Sequence, residues 1–437
     1  MRKGFGEFAV TLGGRSCALI AGAATQSILA WQLGAQGRGS LAVCLVFAAV
    51  LGLLFSVGTE VGGLYFMSSG RLGVWETLFY VSAFAGCSSL LAVGAGYALI
   101  HTSFSFFAKA THEAFLLSLV LVPVTMFSDK FLNLLTGVRL FKEFAAITVL
   151  RSIVQMLLTI LFVWWMKQDV GGALLASIAT ATMVFVLSAA VFLRNFEFSR
   201  FRPSFSNFVA MFSYGCRYYL GKISNLANVE MGTVIIAFFA DRAEIGWFAL
   251  ASRVTKLVQM IPEALTTTLF PRIAVNREGT RDLVMRTARA AGAVSAAVLF
   301  TLALVAKPMV AIVFSPDFLP AVSLIRILVI GGVFYCMAKV FLSYLVAANR
   351  PGIASITVTI GVMVNLGLLW LLLPRIGISA AAWAVTGSYL VDSAILFFLF
   401  RQYSGARFRE MFAFSRNDWA GLPRLFRRKT SKVAEDA

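Results

Sequence analysis

The chain alternates long apolar stretches with short polar segments rich in glycine, proline and charge. Each apolar stretch holds about 20 residues or more, enough for a helix to cross a hydrocarbon core of roughly 30 Å. Because lipid offers no hydrogen-bond partners, every isolated span must be helical. The pattern predicts twelve spans, at residues 8–32, 40–67, 76–100, 114–137, 143–166, 171–193, 208–240, 245–274, 284–306, 320–347, 352–373 and 378–400. The predicted fold class is therefore an all-α polytopic membrane protein.

The composition agrees with this pattern. Of the 437 residues, 59% are hydrophobic and 13% charged, whereas soluble domains carry about 25% charged residues. The five cysteines lie in apolar segments without a CxxC pair, which indicates small buried hydrophobes. The sequence contains no GxxxxGK[ST], HExxH or GxSxG motif. We therefore expect a transporter rather than an enzyme, without catalytic residues, metal or cofactor, whose energy source is a gradient.

The distribution of lysine and arginine predicts the orientation. With a cytoplasmic N-terminus, the inner segments hold 23 basic residues and the outer loops hold 6. The excess of basic residues inside places both termini in the cytoplasm. It also accounts for most of the net charge of +18 without nucleic-acid binding. The tail at 402–437 mixes aromatic and basic residues, which fits an interfacial amphipathic helix or a solvated basic tail.

Two halves of the chain resemble each other. Aligning "LGAQGRGSLAVCL" with "FADRAEIGWFALA" pairs Gly39 with Gly246, at an offset of 207 residues. The same offset pairs Arg15 with Lys222, and a second match pairs Lys130 with Lys339 at an offset of 209. Six helices return the chain to its starting side, so the repeats are parallel. Chance similarity between apolar helices is the alternative. The repeat predicts a six-helix lobe at 1–193, an inter-lobe loop at 194–207, a second lobe at 208–401 and a cytoplasmic tail.

Ionisable residues inside the predicted spans are the candidate functional groups. A charge facing lipid costs a few kcal/mol or more, so intramembrane charges usually face an interior or a wet cavity. More than five residues from either end, the spans hold nine bases and five acids, an excess of positive charge that favours an anionic ligand. The candidate binding residues are Arg15, Lys130, Arg151, Arg217, Lys222, Arg253, Lys256 and Lys339, with Arg326 as the ninth base.

The acids are candidates for ion coupling. Glu60, Asp129, Glu230 and Glu263 are the coupling candidates for H⁺ or Na⁺, and Asp392 is the fifth intramembrane acid. Arg15 and Glu60 lie at equal predicted depth and are expected to be able to pair. Two structural interpretations of these charges stand beside a cavity-lining role. Long basic side chains can snorkel to the membrane interface, and polar stripes can join neighbouring helices to each other. Snorkelling does not suit Lys222, about 14 residues into its span, or the short Asp129.

Several segments, in order, resemble bacterial polysaccharide flippases of the Wzx type, in the multidrug/oligosaccharidyl-lipid/polysaccharide exporter superfamily. They are "LGAQGRGSLA" (33–42), "AEIGWFALASRV" (243–254), "LTTTLFPRIA" (265–274), "LVAKPMVAIVFSPDFLPAVSLIRIL" (304–328) and "LLPRIGISAAAWAVTGSYL" (372–390). The resemblance implies two six-helix lobes in a V around a central cavity, with alternating access. It also implies a substrate of sugar repeats on a polyprenyl pyrophosphate.

Together these features predict a monomeric flippase in the bacterial inner membrane that moves a lipid-linked oligosaccharide outward through a cationic cavity. Polysaccharide polymerases or glycosyltransferases are possible partners. The alternative is a cation-coupled multidrug exporter of the same superfamily, whose pocket should favour acids and aromatics over bases. A membrane glycosyltransferase would need a larger outer loop than this chain has. The related lipid II flippases usually carry two further helices.

Overall fold

The computed structural model describes residues 2–102, 104–199, 201–226, 232–258, 280–347 and 351–405, with the backbone alone at 2–16, 217–218, 220–226, 280, 346–347, 351–352 and 354–355. Within these ranges the chain is helical and has no β-strand. The α-helices are α1 (Arg2–Ser56), α2 (Thr59–Ser68), α3 (Val74–Ile100), α4 (His112–Gly137), α5 (Phe141–Thr159), α6 (Asp169–Asn195), α7 (Phe205–Leu226), α8 (Gly232–Phe239), α9 (Arg242–Val258), α10 (Thr280–Met309), α11 (Ala321–Ala347), α12 (Pro351–Ile376) and α13 (Ser379–Ser404). Short π-helical turns extend α5 to Trp165 and α10 to Phe314.

The helices confirm the predicted class of fold. Among the described residues, nine helical segments are long and apolar enough to cross a membrane. One of them, Cys17–Ser56, has 40 residues, about twice the length that one crossing needs. The predicted spans 208–240 and 245–274 lie partly outside the described residues, so the count of twelve stays a prediction.

A kink at Gly34 divides α1 into the first predicted span and the start of the second. Gly34 has φ 62° and ψ −174°, a conformation that glycine adopts without a steric cost. Beyond the kink, an Arg38 nitrogen donates to Gln26 Oε1 at 2.7 Å. A straight helix would hold these two positions about 18 Å apart, so the chain changes direction between them. Arg38, assigned to an outer loop by the hydropathy pattern, is therefore a buried helical residue.

The chain forms two compact units. The first comprises Met1–Ala249 and Val310–Leu319, and the second comprises Leu250–Met309 and Pro320–Ala437. Phe131, Leu134 and Phe192 lie in the core of the first unit, and Phe341 and Phe400 lie in the core of the second. The first unit extends past the expected inter-lobe loop because α7 and α8 pack against α2 and α1. A lobe boundary at 194–207 stays a prediction from the sequence repeat.

Reciprocal glycine contacts in the first unit bring the aligned segments of the repeat together. A Cβ atom on Gly39 would collide with the Arg242 carbonyl, and a Cβ atom on Gly246 would collide with the Ala35 carbonyl. Ala35 and Arg242 are themselves 207 positions apart, as Gly39 and Gly246 are. Gly39 thus meets Arg242, the counterpart of Ala35, and Ala35 meets Gly246, the counterpart of Gly39. This reciprocity is the pattern of a two-fold contact. Small residues at such crossings let helix backbones approach closely.

A second pair of contacts follows the same rule. Trp31 Nε1 donates to the Val313 carbonyl at 3.2 Å. At the repeat offset of 207, the counterpart of Trp31 is Phe238 and the counterpart of Val313 is Phe106. These counterparts are also in contact, with ring centroids 5.7 Å apart. Within each half, Ser40 Oγ donates to the Lys109 carbonyl at 2.7 Å, and Trp247 Nε1 donates to the Asp317 carbonyl at 2.9 Å. These contacts support the two-fold relation that the sequence repeat predicts.

We expect Gly39→Ala and Gly246→Ala each to lower the thermal unfolding midpoint of the purified protein, because each added methyl group meets a backbone carbonyl. Overpacking of this kind costs about 1–3 kcal/mol. The double variant should cost less than the two single costs together, since both methyl groups force the same two backbones apart. Gly22→Ala is the matched control, since a Cβ atom there meets nothing within 4 Å. Equal midpoints for Gly39→Ala and Gly22→Ala would contradict the reciprocal contact.

Candidate functional site

A break in the second predicted span forms the centre of the candidate site. Helix α1 ends at Ser56 and α2 begins at Thr59. Between them, Val57 has φ 42° and Gly58 has φ 69°. A positive φ is a strained conformation for a β-branched residue such as valine. Within a bilayer, a helix break of this kind survives only where protein groups satisfy the freed backbone.

Lys130 of α4 holds the two sides of this break together. Its side chain is only 2% exposed, and Nζ donates to Ser56 Oγ at 2.9 Å and to Thr59 Oγ1 at 2.8 Å. The Thr59 hydroxyl donates in turn to the Ser56 carbonyl at 3.2 Å. The ammonium group thus lies at the C-terminal end of α1, where the helix dipole favours a positive charge.

Glu60 extends the contact between α2 and α4. Its Oε1 atom accepts a hydrogen bond of 2.6 Å from Asn133 Nδ2, one turn beyond Lys130 on α4. Glu60 lies in the first turn of α2, where the helix dipole favours a negative charge. Two neighbouring turns of α4 therefore bind the break: Lys130 contacts both sides of it, and Asn133 contacts the first turn of α2.

Asp129 and Arg151 form an ion pair between α4 and α5. Arg151 donates to Asp129 Oδ1 at 3.1 Å, and the two side chains are 41% and 49% exposed. Both residues lie inside helical segments that are long enough to cross the membrane. The pair is accessible, whereas the neighbouring Lys130 is enclosed. An accessible guanidinium inside a span is available to an anion that enters the membrane.

Helix α7 packs directly against the break. A Cβ atom on Gly58 would collide with the Gly215 carbonyl, and one on Gly215 with the Gly58 carbonyl. The rings of Tyr65 and Tyr214 stack with centroids 4.1 Å apart. Tyr219 donates its hydroxyl to the Leu53 carbonyl. The helix that carries Arg217 and Lys222 thus runs beside the break.

In the second unit, Lys339 lies in an aromatic setting. Its Nζ atom is 3.2 Å from the Tyr335 hydroxyl and 5.3 Å from the centroid of the Tyr335 ring. Tyr335 stacks on Tyr389 of α13, with ring centroids 4.3 Å apart. A cation over an aromatic face is stabilised by the ring quadrupole. On α9, Arg253 is exposed and Lys256 is half-buried.

The structure brings some predicted residues together and leaves others open. Lys130 joins the two sides of one break, Glu60 on the α2 side of that break accepts from Asn133, and Asp129 pairs with Arg151. For Arg15, Arg217 and Lys222 the structure describes the backbone but not the side chain. Glu230 lies outside the described residues altogether. Glu263 also lies outside the described residues. The expected pairing of Arg15 with Glu60 therefore stays a prediction.

Three neutral partners were not predicted from the sequence. Ser56, Thr59 and Asn133 provide the hydroxyl and amide groups that meet Lys130 and Glu60. The available signal was "SVGTE", a glycine flanked by hydroxyl residues and followed by an acid inside an apolar span. Such polar residues mark a broken membrane helix. Among the described residues, no group of three or more His, Cys, Asp or Glu side chains is placed to bind a metal.

A family model described as "Polysaccharide biosynthesis protein" matches residues 7–277, more than half of the chain. The chain belongs to this family. One known protein similar to this family member is the probable low-salt glycan biosynthesis flippase Agl15 of Haloferax volcanii, with 24% identity over 199 residues. That match covers 44% of this chain and spans 42% of the relative, well under two thirds of its length.

Two solved structures share the fold of this family member. A structure of the lipid II flippase MurJ in an inward closed conformation has a TM-score of 0.71 and 15% identity, and the match covers 95% of this chain and 91% of that one. An inward-facing multidrug resistance MATE family transporter of the MOP superfamily has a TM-score of 0.68 and 16% identity, with 90% and 98% covered. At these identities the likeness shows the fold alone. The predictions of a polysaccharide family and of an all-helical multi-pass membrane protein are confirmed.

The neighbours Asp129 and Lys130 should differ sharply in their effect on stability. We expect Lys130→Ala to lower the free energy of unfolding by about 2–5 kcal/mol, because it opens a cavity and leaves two hydroxyl groups without their donor. Asp129→Ala should cost no more than about 1 kcal/mol, since its ion pair with Arg151 is half exposed. Thermal and denaturant unfolding in detergent measure both changes. Equal losses in the two variants would contradict the enclosed position of Lys130.

Proposed function

We propose that this family member is a flippase for an oligosaccharide linked to a polyprenyl pyrophosphate. The lipid-linked oligosaccharide moves from the cytoplasmic to the outer leaflet by alternating access. The observation that carries this proposal is the intramembrane charge balance of nine bases to five acids, with the Arg151 side chain 41% exposed inside its span. A pyrophosphate is dianionic or more, and arginine binds phosphate oxygens through two parallel hydrogen bonds. A base that faces lipid is costly, so an anionic ligand is the simplest reason to keep so many bases inside the spans.

The basic residues divide into two roles in this proposal. Arg15, Arg151, Arg217, Lys222, Arg253, Lys256 and Lys339 attract the pyrophosphate or acidic sugars along the path. Lys130 acts through the break between α1 and α2, because its enclosed ammonium already contacts two hydroxyl groups. The polyprenyl tail remains in lipid throughout. Glu60, Asp129, Glu230 and Glu263 are proposed sites for a coupling H⁺ or Na⁺.

The cellular setting follows from the proposed substrate. A lipid-linked sugar made at the cytoplasmic face requires a multi-pass protein in the cytoplasmic membrane, and we propose the bacterial inner membrane. Both termini are proposed to be cytoplasmic on the basis of the excess of inner lysine and arginine. The protein is proposed to work as a monomer, with polysaccharide polymerases or glycosyltransferases as partners.

A cation-coupled multidrug exporter is the second candidate, and the shared fold with a MATE family transporter is the observation in its favour. A pocket for cationic drugs should present acids and aromatic faces, whereas the spans of this chain carry an excess of bases. A deletion strain separates the two functions. Loss of surface polysaccharide with unchanged drug sensitivity supports the flippase, and the reverse result supports the exporter.

The proposal that intramembrane bases attract the pyrophosphate is tested by Arg15→Ala, Arg151→Ala and Lys222→Ala, each expressed in the deletion strain of the source organism. We expect each variant to lower surface polysaccharide at least about ten-fold, equivalent to about 1.4 kcal/mol of lost interaction. Lipid-linked precursor should accumulate in the cytoplasmic leaflet. Arg326→Ala is the matched control, because this base lies in a span but is not among the proposed binding residues. Normal polysaccharide in all three variants, at equal protein levels, would refute the proposal.

A further inference from the structure

A carboxylate and a carboxamide lie buried in the second unit with unmet hydrogen-bonding capacity. Asp392 of α13 is 5% exposed, and Asn365 of α12 is 3% exposed. The Oδ1 atom of each is enclosed and accepts no hydrogen bond from any described residue. The large majority of buried side-chain polar atoms in proteins have a hydrogen-bond partner. Two such orphaned oxygens on adjacent helices indicate a ligand that the protein atoms do not supply.

Gly361 makes the space that Asp392 occupies. A Cβ atom on Gly361 would collide with both carboxylate oxygens of Asp392. Glycine inside a helix costs about 1 kcal/mol relative to alanine, so this space has an energetic cost. Asn365 lies one turn further along α12, on the same face as Gly361. One turn before Gly361, the buried Thr357 donates its hydroxyl to the Ile353 carbonyl at 3.0 Å. The wall of α12 that faces Asp392 is therefore narrow, polar and uncharged.

No described base forms an ion pair with Asp392. Helix α13 packs against α11 and α12, and the ionisable groups on these three helices are Arg326, Tyr335, Cys336, Lys339, Tyr344, Arg375, Tyr389, Arg401 and Tyr403. Arg326, Arg375 and Arg401 are exposed, and the Lys339 ammonium lies against Tyr335. Tyr389 is one turn before Asp392 and stacks on Tyr335. Among the described residues, an ionised Asp392 would thus be a buried charge without a counter-charge, which costs far more than burying the neutral acid.

A proton suits this pair of oxygens better than a metal cation. Hard cations take six or more oxygen ligands, and membrane transporters usually recruit the extra oxygens from unwound helix backbone. Helices α12 and α13 run without interruption through Gly361 and Asp392, so their carbonyls are engaged in helix hydrogen bonds. A proton needs one acceptor and allows the neutral carboxyl to donate to a second oxygen. Asn365, one turn from Gly361 on the same face of α12, carries an enclosed oxygen that accepts no hydrogen bond from any described residue.

We propose that Asp392, with Asn365 as its neutral partner, is a proton-binding site of the C-terminal half. The carboxylate takes a proton from water when α12 and α13 are packed as described, and it returns that proton to water when the space over Gly361 becomes wet. No other bond changes. Proton binding at Asp392 does not depend on which substrate the protein transports. Only the use of this proton as a coupling ion rests on the proposed flippase function. Glu60 and Asp129 already have an amide and a guanidinium partner, so Asp392 is the stronger coupling site.

Infrared difference spectroscopy of the full chain in lipid tests this site directly. In sodium-free buffer near neutral pH, the wild type should show the carbonyl stretch of a buried protonated carboxyl group. This band should shift in D₂O and should be lost in Asp392→Asn, a nearly isosteric variant suited to an uncharged setting. Glu60→Gln is the matched control and should keep the band. Asn365→Ala should keep the band at a shifted frequency, because the neutral acid loses one hydrogen-bond acceptor.

Three results would overturn the proposal. They are absence of the band in the wild type, its persistence in Asp392→Asn, and its removal by sodium ions at constant pH, which would indicate a metal cation site. If Asp392→Asn fails to fold, the frequency shift in Asn365→Ala decides the question, and an unchanged frequency refutes the pair. The substrate-path variants Arg15→Ala and Arg151→Ala should leave the band unaltered, so failure of the flippase proposal and failure of the proton site are separately visible.

Discussion

The absence of water and counter-ions inside a bilayer is the constraint on which the rest of this structure depends. Every interrupted helix must find its hydrogen-bond partners within the protein, and every charge needs a partner in the chain, a bound ligand or a wet cavity. At the break between α1 and α2, the enclosed Lys130 ammonium satisfies two hydroxyl groups while Asn133 binds Glu60. The break keeps Val57 in an unfavourable conformation. Strain retained in this way is typical of functional segments, where the surrounding structure holds a backbone that would otherwise relax.

The same constraint explains the glycines at the helix crossings. Apolar side chains gain nothing by leaving lipid for each other, so helix association in a membrane depends on close backbone packing. Gly39 and Gly246 provide that contact between the repeated segments, and Gly58 and Gly215 provide it between α2 and α7. In both places the glycines contact each other's segment reciprocally. The repeat that was visible as a weak sequence match thus corresponds to a physical contact.

The fold class, the family and the intramembrane bases were predictable from the sequence, because hydropathy and charge are local properties of the chain. The partners of those charges were not, since they depend on which helices meet. Arg38 shows the difference: its neighbours "QGRGS" suggested a polar outer loop, whereas the kink at Gly34 buries it against Gln26. Asp392 shows it again. The sequence gives an acid in a span, and only the packing of Gly361 shows that this acid is enclosed.

The central claim of this account is that the intramembrane bases receive the pyrophosphate of a lipid-linked sugar. Native mass spectrometry of the full chain in nanodiscs tests it most directly, with a polyprenyl pyrophosphate and the matching polyprenol as competing lipids. The account predicts at least about ten-fold preference for the pyrophosphate, or roughly 1.4 kcal/mol. That preference should disappear in the double variant Arg15→Ala, Arg151→Ala. Equal retention of the two lipids by the wild type would contradict the account.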